Sequence, residues 1–282
     1  MNRIGGEISL VAVDLDGTLL TSAGTLAAEG ARLLRQAAKD GVRVVLATTR
    51  NPDRVQPVCR SLEINDPLIC TNGAQVWGSP DGPVWACHTI PQEVALAIAR
   101  LADAHGWELS TTVGSMTYWR QRPGQALGPL APHVTVVATN SDAISGDPVR
   151  ILASQPEAIE EIRPFCQQFA SRCYTETYYG PHGQVHSLGV FALQANKGTA
   201  LALVLDRLGI ERGRVMAIGD NPNDLPMFSH ARIGVAVANA PDEVKRKATV
   251  VVPSNDEEGV AWALHLLSRN LVHEGGNGAY LQ

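Results

Sequence analysis

Residues 8–20 have the sequence ISLVAVDLDGTLL, and this stretch decides the fold class. Its first six residues are largely apolar and β-branched, which is typical of a buried strand in a parallel sheet. Asp14 and Asp16 follow directly, although burying an unpaired carboxylate is costly. Gly17 and Thr18 then start a turn. A bound cation or a catalytic role explains such a pair of acids at a strand end, whereas a lone Asp is also a common turn residue.

Three other segments place polar residues at the ends or starts of predicted elements. Residues 42–50 (VRVVLATTR) form an apolar strand pattern that ends at Thr48 and Arg50. A helical pattern covers residues 197–208, and residues 215–224 (VMAIGDNPND) predict a strand followed by an acidic loop. In open α/β sheets, ligands bind outside the carboxyl ends of the strands. The segments are therefore predicted to bring several carboxylates, a Thr and a Lys to one point, which suits a divalent metal ion and a phosphoryl group.

The order of these motifs resembles that of the haloacid dehalogenase (HAD) superfamily of phosphohydrolases. The four corresponding motifs are, in chain order, DLDGTL (14–19), Thr48, Lys197 and GDNPND (219–224). TNGA at residues 71–74 and NKG at residues 196–198 are similar to the Cof-type branch, in which they flank a large inserted cap. The resemblance covers about residues 8–268.

The pattern of predicted elements indicates an α/β fold with an insertion. Strands and helices alternate over the first 75 residues and again from residue 196, as expected for a parallel sheet with right-handed crossovers. The intervening strand-like runs and two helical patterns predict an α+β domain with a mostly antiparallel sheet. The resemblance implies a Rossmann-like parallel-sheet HAD core, residues 1–78 and 191–270, with a type IIB α+β cap domain at residues 79–190. The Gly-rich residues 271–282 are predicted to be a disordered tail.

Composition narrows the class of protein. The chain has 282 residues and a net charge of −5 without a basic run, which argues against nucleic acid as a partner. Its five cysteines form no CxxC pair and predict free thiols in a reducing cytoplasm. No stretch approaches the roughly 18 apolar residues of a membrane span, and no signal peptide is apparent. We therefore expect a cytoplasmic monomer or homodimer with no membrane partner.

The resemblance implies a role for each motif residue. Asp14 would attack phosphorus and form an aspartyl-phosphate, and Asp16 would protonate the leaving alcohol and then activate water. If the strand continues, the i, i+2 spacing places both acids on one face. Thr48 would hydrogen-bond a phosphoryl oxygen, and Lys197 would neutralise the transferring group. The implied cofactor is Mg²⁺, and its implied ligands are Asp14, the backbone carbonyl of Asp16, Asp220 and Asp224.

The predicted substrate-binding residues surround these groups. They are Thr48, Thr49, Arg50, Asn72, Gly73, Lys197 and Asn223. Thr49 stands where the family usually has Gly, which alters the substrate side of the pocket. Arg50 either contacts substrate or pairs with a core acid. Asn72 either orients the substrate or the nucleophile loop, or belongs only to an Asn-Gly turn.

Several functions fit this inventory of residues. The leading hypothesis is a Mg²⁺-dependent phosphatase that hydrolyses a small phosphorylated metabolite, either a sugar phosphate or a cofactor or nucleotide phosphate. A phosphomutase or phosphotransferase would use the same acids but would deliver the phosphoryl group to a hydroxyl. A receiver-type signalling module, phosphorylated on Asp, is a remote alternative because of the long insertion and the second acid. A dehalogenase fits the acid-rich motifs least well.

Overall fold

The structure is a computed structural model that describes residues 8–121, 130–179 and 184–268. Contacts between residues divide the chain into two compact units. The first, here called the core unit, extends to Ala86 and resumes at Asn196, whereas the second, the inserted unit, comprises Cys87–Ala195. The insertion predicted from sequence starts earlier, at residue 79. The turn-rich residues 78–83 suggest a boundary there, but in the structure they connect two strands of the core sheet. The predicted tail at residues 271–282 lies outside the described residues.

The described residues form fourteen strands and eight α-helices. The strands are β1 (Leu10–Val13), β2 (Arg43–Ala47), β3 (Leu68–Cys70), β4 (Gln75–Trp77), β5 (Val84–Cys87), β6 (Leu109–Val113), β7 (Met116–Arg120), β8 (Val134–Val137), β9 (Arg150–Ala153), β10 (Cys173–Tyr179), β11 (Val185–Ala192), β12 (Val215–Gly219), β13 (Ile233–Val237) and β14 (Val250–Val252). The helices are α1 (Ala28–Lys39), α2 (Pro52–Leu62), α3 (Gln92–His105), α4 (Pro156–Gln167), α5 (Lys197–Leu208), α6 (Leu225–Phe228), α7 (Asp242–Lys247) and α8 (Gly259–Ser268). None of these helices has the length and apolar character needed to cross a membrane.

The core unit is built on an eight-stranded sheet with the strand order β14-β13-β12-β1-β2-β3-β4-β5. The strands from β14 to β3 are parallel, and β4 pairs antiparallel with β3. All four residues of β1 are buried. Val11 and Val13 pack with residues of α1, α2 and α8, whereas Leu10 and Ala12 pack with residues of α5. A strand covered on both faces has the continuous apolar sequence seen here, which confirms the predicted α/β class.

Local signals set the ends of the helices that flank the sheet. The side chain of Asn196 caps α5, because its oxygen accepts a hydrogen bond from the Thr199 backbone N–H at 2.8 Å. Gly209 ends the same helix with a φ of +64°, which glycine adopts without strain. Pro52 is the first residue of α2. Proline is favoured there because a backbone N–H at this position would make no hydrogen bond within the helix. As a result, Lys197 stands in the first turn of a firmly capped helix.

The inserted unit contains a six-stranded sheet with the order β10-β11-β9-β6-β7-β8. Its neighbouring strands are antiparallel, except that β7 and β8 are parallel. Helices α3 and α4 contribute to one apolar cluster with the sheet, which includes Ile98, Ile151, Ile162 and Leu188. This unit is therefore the α+β fold with a mostly antiparallel sheet that the sequence predicts.

Candidate active site

Three neighbouring strands of the core unit carry predicted site residues at their carboxyl ends. Asp14 follows β1, Thr48 follows β2 and Asp220 follows β12. Backbone hydrogen bonds extend the strand pairing as far as these residues. The Asp14 N–H donates to the Ile218 carbonyl at 3.0 Å, and the Thr48 N–H donates to the Ile69 carbonyl at 2.9 Å. The parallel sheet thus brings residues from distant parts of the chain to one edge.

Lys197 lies between two carboxylates. Its Nζ donates to Asp14 Oδ1 at 2.5 Å and to Asp224 Oδ1 at 2.6 Å. The side chains of Lys197, Asp14 and Asp224 are only 1%, 7% and 0% exposed. Removing an ammonium from water is costly unless it gains such partners. These two acids explain why a cation stands in the first turn of α5, where the helix dipole disfavours it.

The loop after β12 fixes the two acids that it carries. Asp224 Oδ2 accepts from the backbone N–H groups of Asp220 and Asn221, both at 3.0 Å. Asp220 Oδ1 accepts from Thr18 Oγ1 at 3.0 Å, and Asp220 Oδ2 accepts from Asn221 Nδ2 at 2.9 Å. The strand must end in Gly219, since a Cβ there would lie 2.5 Å from Asp224 Cγ. Both carboxylates are therefore held in fixed orientations.

The acids of this site are close enough to raise one another's pKa values. Burial raises the pKa of Asp14 to about 7; Lys197 opposes this rise, and Asp224 adds to it. Burial, together with the charges of Asp14 and Asp224, also raises the pKa of Asp220 well above its usual range. Burial by itself would lower the pKa of Lys197, but the charges of the two bonded acids outweigh it and raise that pKa. The ionised acids thus carry more negative charge than the Lys197 ammonium offsets.

Asp14, Asp220 and Asp224 fit a hard divalent cation. Each offers one carboxylate oxygen, and these oxygens lie within 4.8 Å of one another. Mg²⁺ prefers oxygen ligands, commonly one or two carboxylates with water and substrate phosphate. Burial is the main cause of the raised pKa values of Asp14 and Asp220, and a dication would offset the negative charge of Asp224 that adds to it. The first and fourth motifs therefore meet, and their donor atoms suit a metal ion.

The side chain of Asp16 pairs with Arg50 instead of joining these acids. Arg50 Nε and Nη2 donate to the two carboxylate oxygens at 2.8 and 2.6 Å. The pair is partly open to solvent, with 30% of the Arg50 side chain and 50% of the Asp16 side chain exposed. Of the two roles predicted for Arg50, the structure shows the pairing with a core acid. Asp14 and Asp16 lie beyond the end of β1 at Val13, so strand alternation does not place their side chains on one face.

The loop at residues 48–50 is tied to the turn that follows β3. The hydroxyl oxygen of the fully buried Thr48 accepts from the Arg50 N–H at 3.1 Å. The carbonyls of Arg50 and Thr48 accept from the N–H groups of Thr71 and Asn72 at 2.9 and 3.0 Å. Thr49 has a negative φ, so a β-branched residue takes the place of the usual Gly without backbone strain.

The turn at Thr71, Asn72 and Gly73 is strained and closely packed. All three residues have positive φ, at +51°, +57° and +89°. For the β-branched Thr71 this costs on the order of 1–3 kcal/mol, which the surroundings must offset. A Cβ on Gly73 would lie 2.3 Å from the Asn196 carbonyl group, so only glycine permits this approach. Asn72 Oδ1 accepts from Asn223 Nδ2 at 2.9 Å, which connects the turn to the fourth motif.

Two residues that hold the acids in place, Thr18 and Asn221, were not predicted from the sequence. Asn221 and Asp224 exchange side chain–backbone hydrogen bonds across the short turn at Pro222–Asp224. This bond pair was detectable, because an Asn followed three residues later by an acid is a capping pattern. The bond from Thr18 to Asp220 joins residues 202 positions apart, and no local pattern predicts it.

The chain is similar to known proteins over most of its length. A profile of haloacid dehalogenase-like hydrolases matches residues 11–264. The chain is 31% identical over 261 residues to the 5-amino-6-(5-phospho-D-ribitylamino)uracil phosphatase YcsE of Bacillus subtilis, with 92% of this chain and 95% of the relative covered. It is 26% identical over 266 residues to the pyridoxal phosphate phosphatase YbhA of Escherichia coli, with 89% and 96% covered.

A solved structure shows the same fold across both units. The HAD subclass IIB sugar phosphatase BT4131 superposes with a TM-score of 0.74 and 23% identity, covering 91% of this chain and 98% of that chain. The family profile begins before Asp14 and ends after Asp224, so it includes all four motifs. The predicted fold, a HAD core with an inserted subclass IIB cap, is therefore confirmed. The chain belongs to the haloacid dehalogenase-like hydrolases, as a phosphatase of the Cof-type branch.

Proposed function

We propose that this protein is a Mg²⁺-dependent phosphomonoesterase that acts on a small phosphorylated metabolite through an aspartyl-phosphate. The observation that carries the proposal is the buried Lys197 ammonium between Asp14 and Asp224. It combines a carboxylate nucleophile with a fixed cation in a site that excludes most water. Such preorganised charge is the main source of catalysis in phosphoryl transfer.

Asp14 is the proposed nucleophile. Lys197 binds its Oδ1, which leaves Oδ2 to attack phosphorus in line while the bond to the leaving oxygen breaks. A bound Mg²⁺, held by Asp14, Asp220, Asp224 and the backbone carbonyl of Asp16, would offset the repulsion between a carboxylate and a phosphate dianion. Lys197 neutralises part of the charge on the transferring group and holds Asp14 in one orientation.

Asp16 is the proposed general acid and base. It gives a proton to the leaving alcohol, and it then takes a proton from the water that attacks the phosphorus of the aspartyl-phosphate. This second attack releases inorganic phosphate and restores the Asp14 carboxylate. Asp16 suits the task because its side chain is half exposed and therefore accessible to an incoming alcohol or water.

The phosphoryl oxygens need donors besides Lys197. We assign this role to the Thr48 hydroxyl and to the Asn223 amide, at the ends of the second and fourth motifs. Thr49, Arg50 and Gly73 are proposed to lie on the substrate side of the same edge. The inserted unit is proposed to set specificity, as the cap of the family does.

The substrate is proposed to be a sugar phosphate or a cofactor or nucleotide phosphate. The relatives support this size class: YcsE is named for a phosphorylated ribitylaminouracil and YbhA for pyridoxal phosphate. The subclass IIB relative BT4131 is named a sugar phosphatase. We further propose a cytoplasmic location, which suits the five free cysteines, and a monomeric or homodimeric state without a nucleic-acid partner.

The test is a phosphate-release screen over phosphorylated sugars, nucleotides and cofactors with Mg²⁺ present. Release of inorganic phosphate from members of one chemical class is expected. The covalent step is checked by acid-quenching a turnover reaction and reducing it with borohydride, which converts an aspartyl-phosphate to homoserine. Mass spectrometry should then locate homoserine at position 14. Isomer interconversion with little free phosphate would instead identify a mutase.

A further inference from the structure

We propose that Asn72 is a positioning residue, which fixes the Asn223 amide for phosphoryl transfer and does not itself touch the substrate. This inference rests on the proposed function, in which Asn223 binds a phosphoryl oxygen. It differs from the direct substrate-binding role that the sequence suggests for Asn72.

The two amides differ in access. Asn72 is only 1% exposed, whereas Asn223 is only partly buried. Asn223 Nδ2 donates to Asn72 Oδ1 at 2.9 Å. A ligand can therefore reach Asn223, but it cannot reach Asn72 unless the turn moves.

The turn that carries Asn72 is held from several directions. The Asn72 N–H donates to the Thr48 carbonyl at 3.0 Å. Asn72 has a φ of +57°, and its neighbours Thr71 and Gly73 also have positive φ values. The Asn196 carbonyl group occupies the space that a side chain on residue 73 would need. Asn tolerates the left-handed region better than most residues do. These contacts fix the backbone of the turn, and they therefore fix the direction in which the Asn72 side chain leaves it.

Two contacts therefore hold Asn223: Asn72 binds its side-chain amide, and the residue that follows it in the chain fixes its backbone. The next residue, Asp224, is fully buried and bonded to Lys197. A primary amide has two hydrogens on its nitrogen. Since one of them binds Asn72, the amide plane is set and the second hydrogen is available to an anionic oxygen. A donor held in this way needs no reorganisation when the transferring group passes.

A double-mutant cycle tests the proposal. Asn72→Gly removes the amide while keeping a residue that accepts positive φ. We expect kcat to fall about 10-fold or more with KM changed less than about twofold, because the Asn223 donor is no longer held in place for the transition state. In an Asn223→Ala background, the same Asn72→Gly change should alter kcat by less than about twofold, since residues that act through one contact are not additive.

Thr71→Gly is the matched control, because it alters the same turn at a position with the same sign of φ. Its effect on kcat should be equal with and without Asn223. Thermal unfolding of every variant separates a loss of folded protein from a loss of turnover. An equal effect of Asn72→Gly in both backgrounds, or an effect mainly on KM, would overturn the positioning role.

A second readout does not depend on turnover. Calorimetry of orthovanadate with Mg²⁺, a mimic of the phosphoryl group in the transition state, should show that Asn72→Gly weakens binding several-fold when Asn223 is present and has little effect in Asn223→Ala. If the wild type hydrolyses no phosphomonoester, the proposed function fails while this binding cycle still decides the role of Asn72. A wild type that binds no vanadate would overturn both.

Discussion

Arg50 binds both carboxylate oxygens of Asp16, with nitrogen–oxygen distances of 2.8 and 2.6 Å. A bidentate pair of this kind holds a carboxylate in one orientation. In the proposed mechanism Asp16 must deliver a proton, so the pair has to open before the leaving alcohol departs. Because both side chains are partly exposed, an incoming phosphate can compete for the guanidinium.

Replacing Asp16 should separate the two half-reactions. Asp16→Ala is expected to slow hydrolysis of alkyl phosphates by about 10²–10⁴-fold, the usual contribution of a general acid. With p-nitrophenyl phosphate the leaving group needs no proton, so only hydrolysis of the aspartyl-phosphate should be slow. Stopped-flow absorbance should then show a burst of nitrophenolate close to one per enzyme. Arg50→Ala, which keeps Asp16, serves as the control and should show no burst. An Asp16→Ala variant without a burst of nitrophenolate would speak against the two roles assigned to Asp16.

Asp14→Asn should abolish turnover while the protein stays folded. The amide keeps the shape of the side chain and an oxygen for Lys197 Nζ, but it cannot attack phosphorus. Activity should fall to the background of the assay, and circular dichroism should match the wild type. Mass spectrometry must show that the Asn has not deamidated. Substantial turnover by an intact variant would exclude Asp14 as the nucleophile.

Lys197→Met should reduce stability as well as turnover. It leaves Asp14 and Asp224 buried without their cation, and breaking a buried pair costs about 3–5 kcal/mol. Lys39→Met is the matched control, because Lys39 and Glu63 form an ion pair at 3.2 Å with 63% and 62% of their side chains exposed. Losing that pair should cost no more than about 1 kcal/mol. Urea unfolding in EDTA measures both variants, and similar costs would contradict the assigned role of burial.

Chelation should inactivate the enzyme, and Mg²⁺ should stabilise it. An ion that binds only the folded state adds about 2.7 kcal/mol at 100 times its Kd. Asp220→Asn should remove most of this gain, since it deletes one of the three carboxylates that come together. Thermal unfolding against Mg²⁺ concentration is the measurement. Full activity in EDTA would remove the metal from the mechanism.

The metal-free protein should lose stability as the pH rises. Burial raises the pKa of Asp14 from 3.8 to about 7, so the protonated acid contributes stability that is complete below pH 3.8. That contribution is lost as the pH rises through about 7. Urea titrations in EDTA should therefore show that the wild type loses unfolding free energy over this range relative to Asp14→Asn. Parallel pH profiles would show that Asp14 does not titrate there.

The strands that carry the motifs were predictable, because their apolar runs and the polar residues after them are local signals. Helix α5 was predicted with the bounds that the structure shows, since Asn196 and Gly209 mark its two ends. The meeting of Asp14, Lys197 and Asp220 followed from one rule about the carboxyl ends of parallel strands. These parts depend on short stretches of sequence and on the topology of the sheet.

Other features depend on contacts between distant residues. Helix α7 has one buried residue, Val244, and so lacks an apolar period. Strand β4 is three residues long, and its Gln75 is buried although polar, so residues 75–77 do not read as a strand. Asp16 and Arg50 are 34 positions apart in the chain. The sequence alone therefore could not distinguish an Arg50 that pairs with Asp16 from one that contacts substrate.

The position of β1 between β2 and β12 has a consequence for biosynthesis. Strand β1 can pair with β2 soon after both have left the ribosome, but its other neighbour, β12, emerges only after the whole insertion has been translated. A nascent chain that ends within the insertion thus holds Asp14 and Asp16 without Lys197, Asp220 or Asp224. The proposed site is assembled only after the last of these residues has been synthesised, so a product truncated within the insertion would carry the proposed nucleophile without the groups that would activate it.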